Sequence, residues 1–215
     1  MDIIKNIKDI MGPDPDTTMS VFDCRLPDKL FVLDGYFDDG TIQAVYNEVT
    51  FLENFWGYNF LKLDVTVPHR EDTLFLTHRF ISNKSPFCNV IEEIDRKIKE
   101  VFDKDVNIQL EGRGSPWMWN TGIGDYIPKH LDRSDFISGE KNWKAIVYFN
   151  TFEEGWGGET IFHLGDFEKI IVAPKLGRLV LFKSDIYHSA TCITKNALNR
   201  RIMLNYAYTS SRETS

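Results

Sequence analysis

The chain is 215 residues long, 42% hydrophobic and 13% aromatic, enough apolar material for one globular unit with a sizeable core. A net charge of −7 and a pI near 5.3 disfavour a sequence-independent polyanion binder, because phosphate contacts require a basic face, although a local basic groove stays open. No stretch approaches the roughly 20 apolar residues of a membrane span, and Met1-Asp2-Ile3-Ile4-Lys5 alternates charged and apolar groups without building a secretory core. Cys24, Cys88 and Cys192 make neither an even framework nor a Cys-x-x-Cys pair. They read as reduced thiols, and the expectation is a soluble, cytoplasmic protein, either monomer or homodimer.

In chain order, Met11 to Thr18 is turn-rich and predicts a loose or docking arm. Phe31-Val32-Leu33-Asp34 reads as a strand. Asp38 or Asp39 caps a helix reaching about Phe55, in which Ile42, Val45, Val49 and Leu52 recur near helical spacing. A second helix is expected from about Phe87 to Phe102, with Val90, Ile91, Ile94, Ile98 and Val101 as an apolar stripe that packs on the outside of a sheet. From Asn107 onward the pattern changes to short strands separated by Gly, Pro and Asn turns. The fold predicted is mainly β with flanking helices (α+β), built on a double-stranded β-helix, the cupin-like jelly roll in which two sheets wrap a cavity. Residues 1–105 would supply the arm, strands and supporting helices and residues 106–215 the β-helix core. The boundary is a change of element type with no linker, so one compact domain is expected overall.

Four residues of the second half carry chemistry. His130 and Asp132 sit two apart, and on an extended strand alternate side chains leave the same face, so one imidazole and one carboxylate can share an ion. His188 adds a second imidazole. Two His and one carboxylate on one face of an octahedral ion leave positions open, as non-haem Fe(II) oxygenases require. Arg201 opens Arg201-Ile202-Met203-Leu204-Asn205-Tyr206, where Arg201, Met203 and Asn205 share one face and Arg200, Ile202, Leu204 and Tyr206 the other; the apolar set packs, leaving Arg201 and Asn205 to face the barrel interior. A lone His-x-Asp pair is common by chance, and it is the ordered company that gives it weight. His69, His78 and His163 have no such company and read as structural or solvated.

With those residues in view, the chain resembles the 2-oxoglutarate and Fe(II)-dependent oxygenase superfamily, nearest its prolyl-4-hydroxylase-like branch, over residues 106 to 208. Gly124-Asp125-Tyr126-Ile127-Pro128-Lys129-His130-Leu131-Asp132 looks like the family's first metal segment, and Trp143 to Asn150 like its next core strand. Gly157-Gly158-Glu159-Thr160 matches the Gly-Gly pair that follows, and Gly177 to Phe182 the strand leading to the distal His. The resemblance implies Fe(II) held by His130, Asp132 and His188, 2-oxoglutarate as cosubstrate clamped through its C5 carboxylate by Arg201 and Tyr148, and dioxygen as the second cosubstrate. Ascorbate is a further candidate cofactor. Tyr126 is assigned to the pocket wall on the His130 side, with a cosubstrate contact less secure. The implied reaction is hydroxylation of an unactivated C–H bond, with succinate and CO2 as co-products; the carboxylate at Asp132 favours oxygen transfer over halogenation.

The substrate is less visible than the cosubstrate. Trp119, Asn120, Arg133, Asp135, Trp156 and Asn205 are candidates to line the substrate mouth, while the tryptophans fit a sheet interface equally well. An amino acid or a prolyl-type side chain, free or in a peptide or protein, is the expected substrate. An oxygenase acting on another small metabolite or a nucleobase, a non-catalytic jelly-roll binder, and a zinc hydrolase lacking a His-Glu-x-x-His motif are the alternatives.

Overall fold

The computed structural model describes residues 23–26, 29–51, 57–59, 75–79, 88–106, 108, 110–113, 116–132, 141–165 and 168–210. In chain order the elements are β1 (Asp23–Leu26), β2 (Leu30–Leu33), α1 (Asp39–Phe51), β3 (Gly57–Asn59), β4 (Phe75–Arg79), α2 (Cys88–Val101), a π-helical turn (Phe102–Val106), β5 (Leu110–Arg113), β6 (Trp117–Thr121), β7 (Ile127–His130), β8 (Lys141–Tyr148), β9 (Thr160–His163), β10 (Lys169–Val172), β11 (Leu179–Lys183), β12 (Tyr187–Ala190) and β13 (Arg201–Ser210).

Side-chain alternation decides how these layers stack. In β8, Trp143, Ala145 and Val147 are buried on one face and Ile146 and Tyr148 on the other. Leu179 and Leu181 against Val180 and Phe182 repeat this in β11, and Phe31 and Leu33 against Leu30 and Val32 in β2. Strands apolar at successive positions need cover on both sides. The helices cover one: Ile42 and Val45 of α1 and Ile91, Ile94, Ile98 and Val101 of α2 join Trp143, Leu204 and Tyr206 in one cluster. Its stripe spacing gives α2 a single apolar face, and Arg96 pairs with Glu93 and Glu100 at 2.6 and 2.7 Å on the solvent side. The Tyr206 hydroxyl donates to the Ile91 carbonyl (2.9 Å) and the Tyr208 hydroxyl to Asp95 (2.8 Å), tying α2 to β13. A second sheet covers the other face through Phe162 and Val172.

The larger sheet has nine strands, ordered β1-β2-β11-β8-β13-β6-β4-β3 with β5 also paired to β13; the smaller runs β10-β9-β12-β7, and the pairings in both are antiparallel. Two antiparallel sheets facing each other, with helices outside the larger one, make the mainly β jelly roll that the sequence predicts. Strands from before residue 105 join the same large sheet as those after it, so the change of element type there does not divide the sheet.

Several boundaries differ from expectation. The first predicted strand runs Leu30–Leu33, and Asp34 leaves it to accept hydrogen bonds from Arg178 and Lys175. The second helix begins at Cys88 and passes into the π-helical turn that reaches Val106. The first ends at Phe51 among the described residues, and the predicted arm at residues 11–18 lies outside them. No helix among the described residues is long and apolar enough to cross a membrane.

Candidate active site

The small sheet sets the two imidazoles side by side. β7 ends at His130, and its antiparallel partner β12 places His188 directly opposite, with ring centroids 4.3 Å apart. His130 Nδ1 lies 2.8 Å from the Pro128 carbonyl and His188 Nδ1 3.1 Å from that of Ile186. A carbonyl only accepts, so each Nδ1 carries the hydrogen, and in a neutral ring the lone pair is on Nε2. Both Nε2 atoms face Asp132, at 3.5 Å (His130 to Oδ1) and 3.7 Å (His188 to Oδ2). The three donor atoms lie within 4.8 Å of one another. Backbone carbonyls that fix the tautomer of each ring are the outer support a metal-binding histidine uses.

Electrostatics of the triad point the same way. Burial opposes ionisation of Asp132, but the His130 hydrogen bond and the charges of Lys144 and the two imidazoles hold its carboxyl well below the usual range. Asp132 Oδ2 is buried and has no hydrogen-bond partner. Burial pushes His188 down to about 4 despite the nearby carboxylate. Burial also opposes charge on His130, yet the Asp132 hydrogen bond and charge outweigh it and the shift is upward. The imidazoles move in opposite directions around one carboxylate because only His130 holds the hydrogen bond to it. The two nitrogens and the orphan oxygen converge where a dication would satisfy all three.

The other end of the cavity holds a buried cation. Arg201 is 2% exposed. One of its Nη atoms contacts Thr160 Oγ1 (3.2 Å) and Met203 Sδ (3.0 Å), its Cζ lies 5.5 Å from the Tyr148 ring centroid, and its Nε has no partner. No ion pair joins Arg201 to an acidic side chain among the described residues, and a buried charge without a counter-ion is costly. The Tyr148 hydroxyl lies 2.6 Å from Thr160 Oγ1, so two hydroxyls and a guanidinium converge. The Asn150 side chain brackets Arg201 from the backbone, donating to the Arg200 carbonyl (2.9 Å) and accepting from the Ile202 amide (3.0 Å). Ahead of Thr160, Gly157 packs on the loop after β12: its φ is +75°, and a Cβ there would collide with the Cys192 carbonyl. The two arginines separate as the alternation predicts: Arg200 donates to the Asn120 side chain (2.5 Å) and Arg201 lines the cavity.

Trp119 and Asn205 also line the cavity, with Ile146, Thr160 and Met203. Asn120 does not: alternation along β6 turns it with Met118 toward the helix side, where it holds Arg200. Trp156 does not either, because it packs with Phe152, Ile193 and Ala197 in a small core of the loop region. Tyr126 precedes β7, half-buried, outside the ring of lining residues. Tyr148 is wholly buried behind Arg201 and Thr160. Arg133, Asp135 and His69 lie outside the described residues. His163 contacts Ser189 Oγ (3.1 Å) away from the triad, and His78 sits within β4. Sequence reasoning missed Thr160 beside Arg201 and Asn150 behind it, although both stood inside quoted motifs.

Residues 116–208 match the family model described as the 2OG-Fe(II) oxygenase superfamily. No match was found among curated protein sequences. Among solved structures, the fold is similar to a prolyl hydroxylase from Trichoplax adhaerens in complex with a hypoxia-inducible-factor peptide fragment (TM-score 0.67, 15% identity, covering 85% of this chain and 84% of that one). It is also similar to a Pseudomonas putida prolyl-4-hydroxylase (TM-score 0.63, 17% identity, 86% and 94% covered) and to the viral collagen prolyl hydroxylase of Paramecium Bursaria Chlorella virus-1 (TM-score 0.59, 18% identity, 86% and 97% covered). The segment that carries His130, Asp132, His188 and Arg201 is thus the part of the chain that matches the 2OG-Fe(II) oxygenase superfamily.

Proposed function

We propose that the protein is an Fe(II)- and 2-oxoglutarate-dependent dioxygenase that hydroxylates an unactivated C–H bond of an amino acid or a prolyl-type side chain, with succinate and CO2 as co-products. The observation that carries this reading is the convergence of His130 Nε2, His188 Nε2 and an Asp132 oxygen within 4.8 Å, both rings held in the ligating tautomer. When bound, Fe(II) supplies activation of dioxygen and the oxidation of 2-oxoglutarate. This chain's residues do the rest. His130 and His188 donate neutral nitrogens, and Asp132 offsets one of the two positive charges while leaving the remaining positions open. Arg201 pairs with the C5 carboxylate of 2-oxoglutarate, and the Thr160 and Tyr148 hydroxyls sit where they complete that anion's hydrogen bonds. Ile146, Met203 and Trp119 keep the cosubstrate end dry, which strengthens the ionic contact.

Trp119 and Asn205 are the described candidates for substrate contact, with Arg133 and Asp135 following the metal segment in sequence. The named substrates of similar structures, a hypoxia-inducible-factor peptide and collagen, support a prolyl-type side chain as one class to screen. Ascorbate would keep the iron reduced, and a reducing, cytoplasmic setting suits that chemistry. The test is an anaerobic titration of the metal-free protein with Fe(II) and 2-oxoglutarate, read by the visible charge-transfer band of the chelate, then oxygen addition and a succinate assay. A band and slow uncoupled succinate formation are expected. Neither signal from folded protein would leave a binding jelly roll as the better reading.

A further inference from the structure

Lys144 is a charged residue on the inward face of β8, where its neighbours at the same parity are Ile146 on the cavity wall and Tyr148 behind Arg201. Its side chain is only 14% exposed, and its ammonium lies 3.7 Å from Asp132 Oδ2, longer than a hydrogen bond. It stands just outside the ring of lining residues, on the Asp132 side. Four strand positions separate Lys144 from Tyr148, about 13 Å, so a cation stands toward each end of the cavity: Arg201 with Thr160 in front of Tyr148, and Lys144 beside the triad. Asn205, cross-strand from Ile146, presents an amide between them on the cavity wall.

Charge balance leaves Lys144 without a function in the cosubstrate site. A dication, the 2-oxoglutarate dianion, the Asp132 carboxylate and the Arg201 guanidinium cancel. Asp132 is the one carboxylate on the cavity wall among the described residues, and its charge is already used by the metal. Lys144 therefore leaves one positive charge beside the triad, and a poorly solvated ammonium favours an anionic partner. We propose that Lys144 is a substrate-specificity residue that pairs with a carboxylate of the substrate, so that the preferred substrate is a carboxylate-bearing small molecule such as a free amino acid, rather than a neutral residue inside a peptide. This rests on the oxygenase reading above and names the substrate class for it.

The test uses Zn(II)-loaded protein saturated with 2-oxoglutarate under argon, which binds without turning over. Two matched panels, the free L-amino acids and the corresponding L-amino acid amides, are compared by ligand-observed NMR and calorimetry in wild type, Lys144→Met and Lys144→Arg. Binding from the carboxylate panel, at least tenfold weaker in Lys144→Met and largely restored in Lys144→Arg, is expected, while 2-oxoglutarate affinity at saturating metal stays within about twofold. Binding confined to the amide panel, no binding from the carboxylate panel, or unchanged carboxylate affinity in Lys144→Met would each overturn the proposal. If Lys144 only neutralises Asp132, the Met variant changes Zn(II) affinity and leaves the carboxylate preference intact. Failure of the oxygenase reading is separable, since it would appear as wild-type protein that does not bind 2-oxoglutarate in the presence of metal.

Discussion

Two aspartates of this protein stand in opposite circumstances. Asp34, at the end of β2, accepts from Arg178 Nε (2.8 Å), an Arg178 Nη (3.0 Å) and Lys175 Nζ (2.8 Å), and although burial opposes its ionisation these partners hold its pKa down. Asp132 is held down too, yet Oδ2 has no hydrogen bond and faces the His188 Nε2 and the Lys144 ammonium, each at 3.7 Å. The arginines divide in parallel: Arg178 is paired with a carboxylate, whereas Arg201 is buried against a ring, a hydroxyl and a sulfur. Polar groups satisfied within the chain act as structure; those shielded from solvent but left unsatisfied mark where something else binds.

Substitutions should separate the two regions cleanly. The largest effect is expected from His130→Ala or His188→Ala, each lowering Fe(II) affinity by two or more orders of magnitude and abolishing the chelate band, with the circular dichroism spectrum unchanged. A melt that shifts by many degrees while metal binding survives would reverse the assignment. Asp34→Asn should do the converse, costing about 3 kcal/mol of stability because Arg178 and Lys175 lose their buried counter-charge, with metal and 2-oxoglutarate affinities intact by calorimetry. Arg201→Ala should weaken 2-oxoglutarate binding by about 2–3 kcal/mol, roughly 30- to 150-fold, without changing Fe(II) affinity in the absence of cosubstrate. If affinity stays at the wild-type level, the clamp is elsewhere.

Acidification sharpens the contrast further. In metal-free protein, His188 has its folded pKa depressed to about 4 against an ordinary 6.5, so between those values the unfolded chain binds the extra proton and stability falls as pH is lowered from 6.5 to 4. His130 has its folded pKa raised, so its contribution is complete below 6.5 and is lost as pH rises through the raised value. Thermal melts of metal-free protein should therefore peak near pH 6.5, and the acid arm should disappear in His188→Gln. The smallest effect is expected from Asn150→Ala, which removes the bracket around the Arg201 backbone: a few-fold loss of 2-oxoglutarate affinity by calorimetry, partly recovered by Asn150→Asp at the Ile202 amide. An unchanged affinity would show that β13 holds Arg201 unaided.

Much of the site was legible in sequence because its chemistry is carried by local patterns. His130 and Asp132 lie two apart, and the β13 alternation chose Arg201 over Arg200. The same rule, applied to β6, would have put Asn120 on the helix side with Met118, but the sequence alone does not say which residue of Trp117-Met118-Trp119-Asn120 starts inward. Trp156 was misplaced because a large aromatic in a loop can fill either a mouth or a local core, and Phe152, Ile193 and Ala197 provided the core. Thr160 and Lys144 depend on contacts between segments distant in sequence, Thr160 with Arg201 and β8 with the Asp132 segment. Of the fold, strands with a continuous apolar run were anticipated; β1, β3 and β4, of three to five residues and held by register with longer neighbours, were not.

If the unsatisfied groups of the second region form one site for a metal and an anion together, the anion binds only where the metal does. Calorimetric titration of 2-oxoglutarate into wild-type protein under argon, with and without Fe(II), tests it most directly. One-to-one binding that requires the metal and is lost in both His188→Ala and Arg201→Ala is expected. Binding of 2-oxoglutarate with equal affinity in the absence of metal, or no binding in its presence, would contradict it.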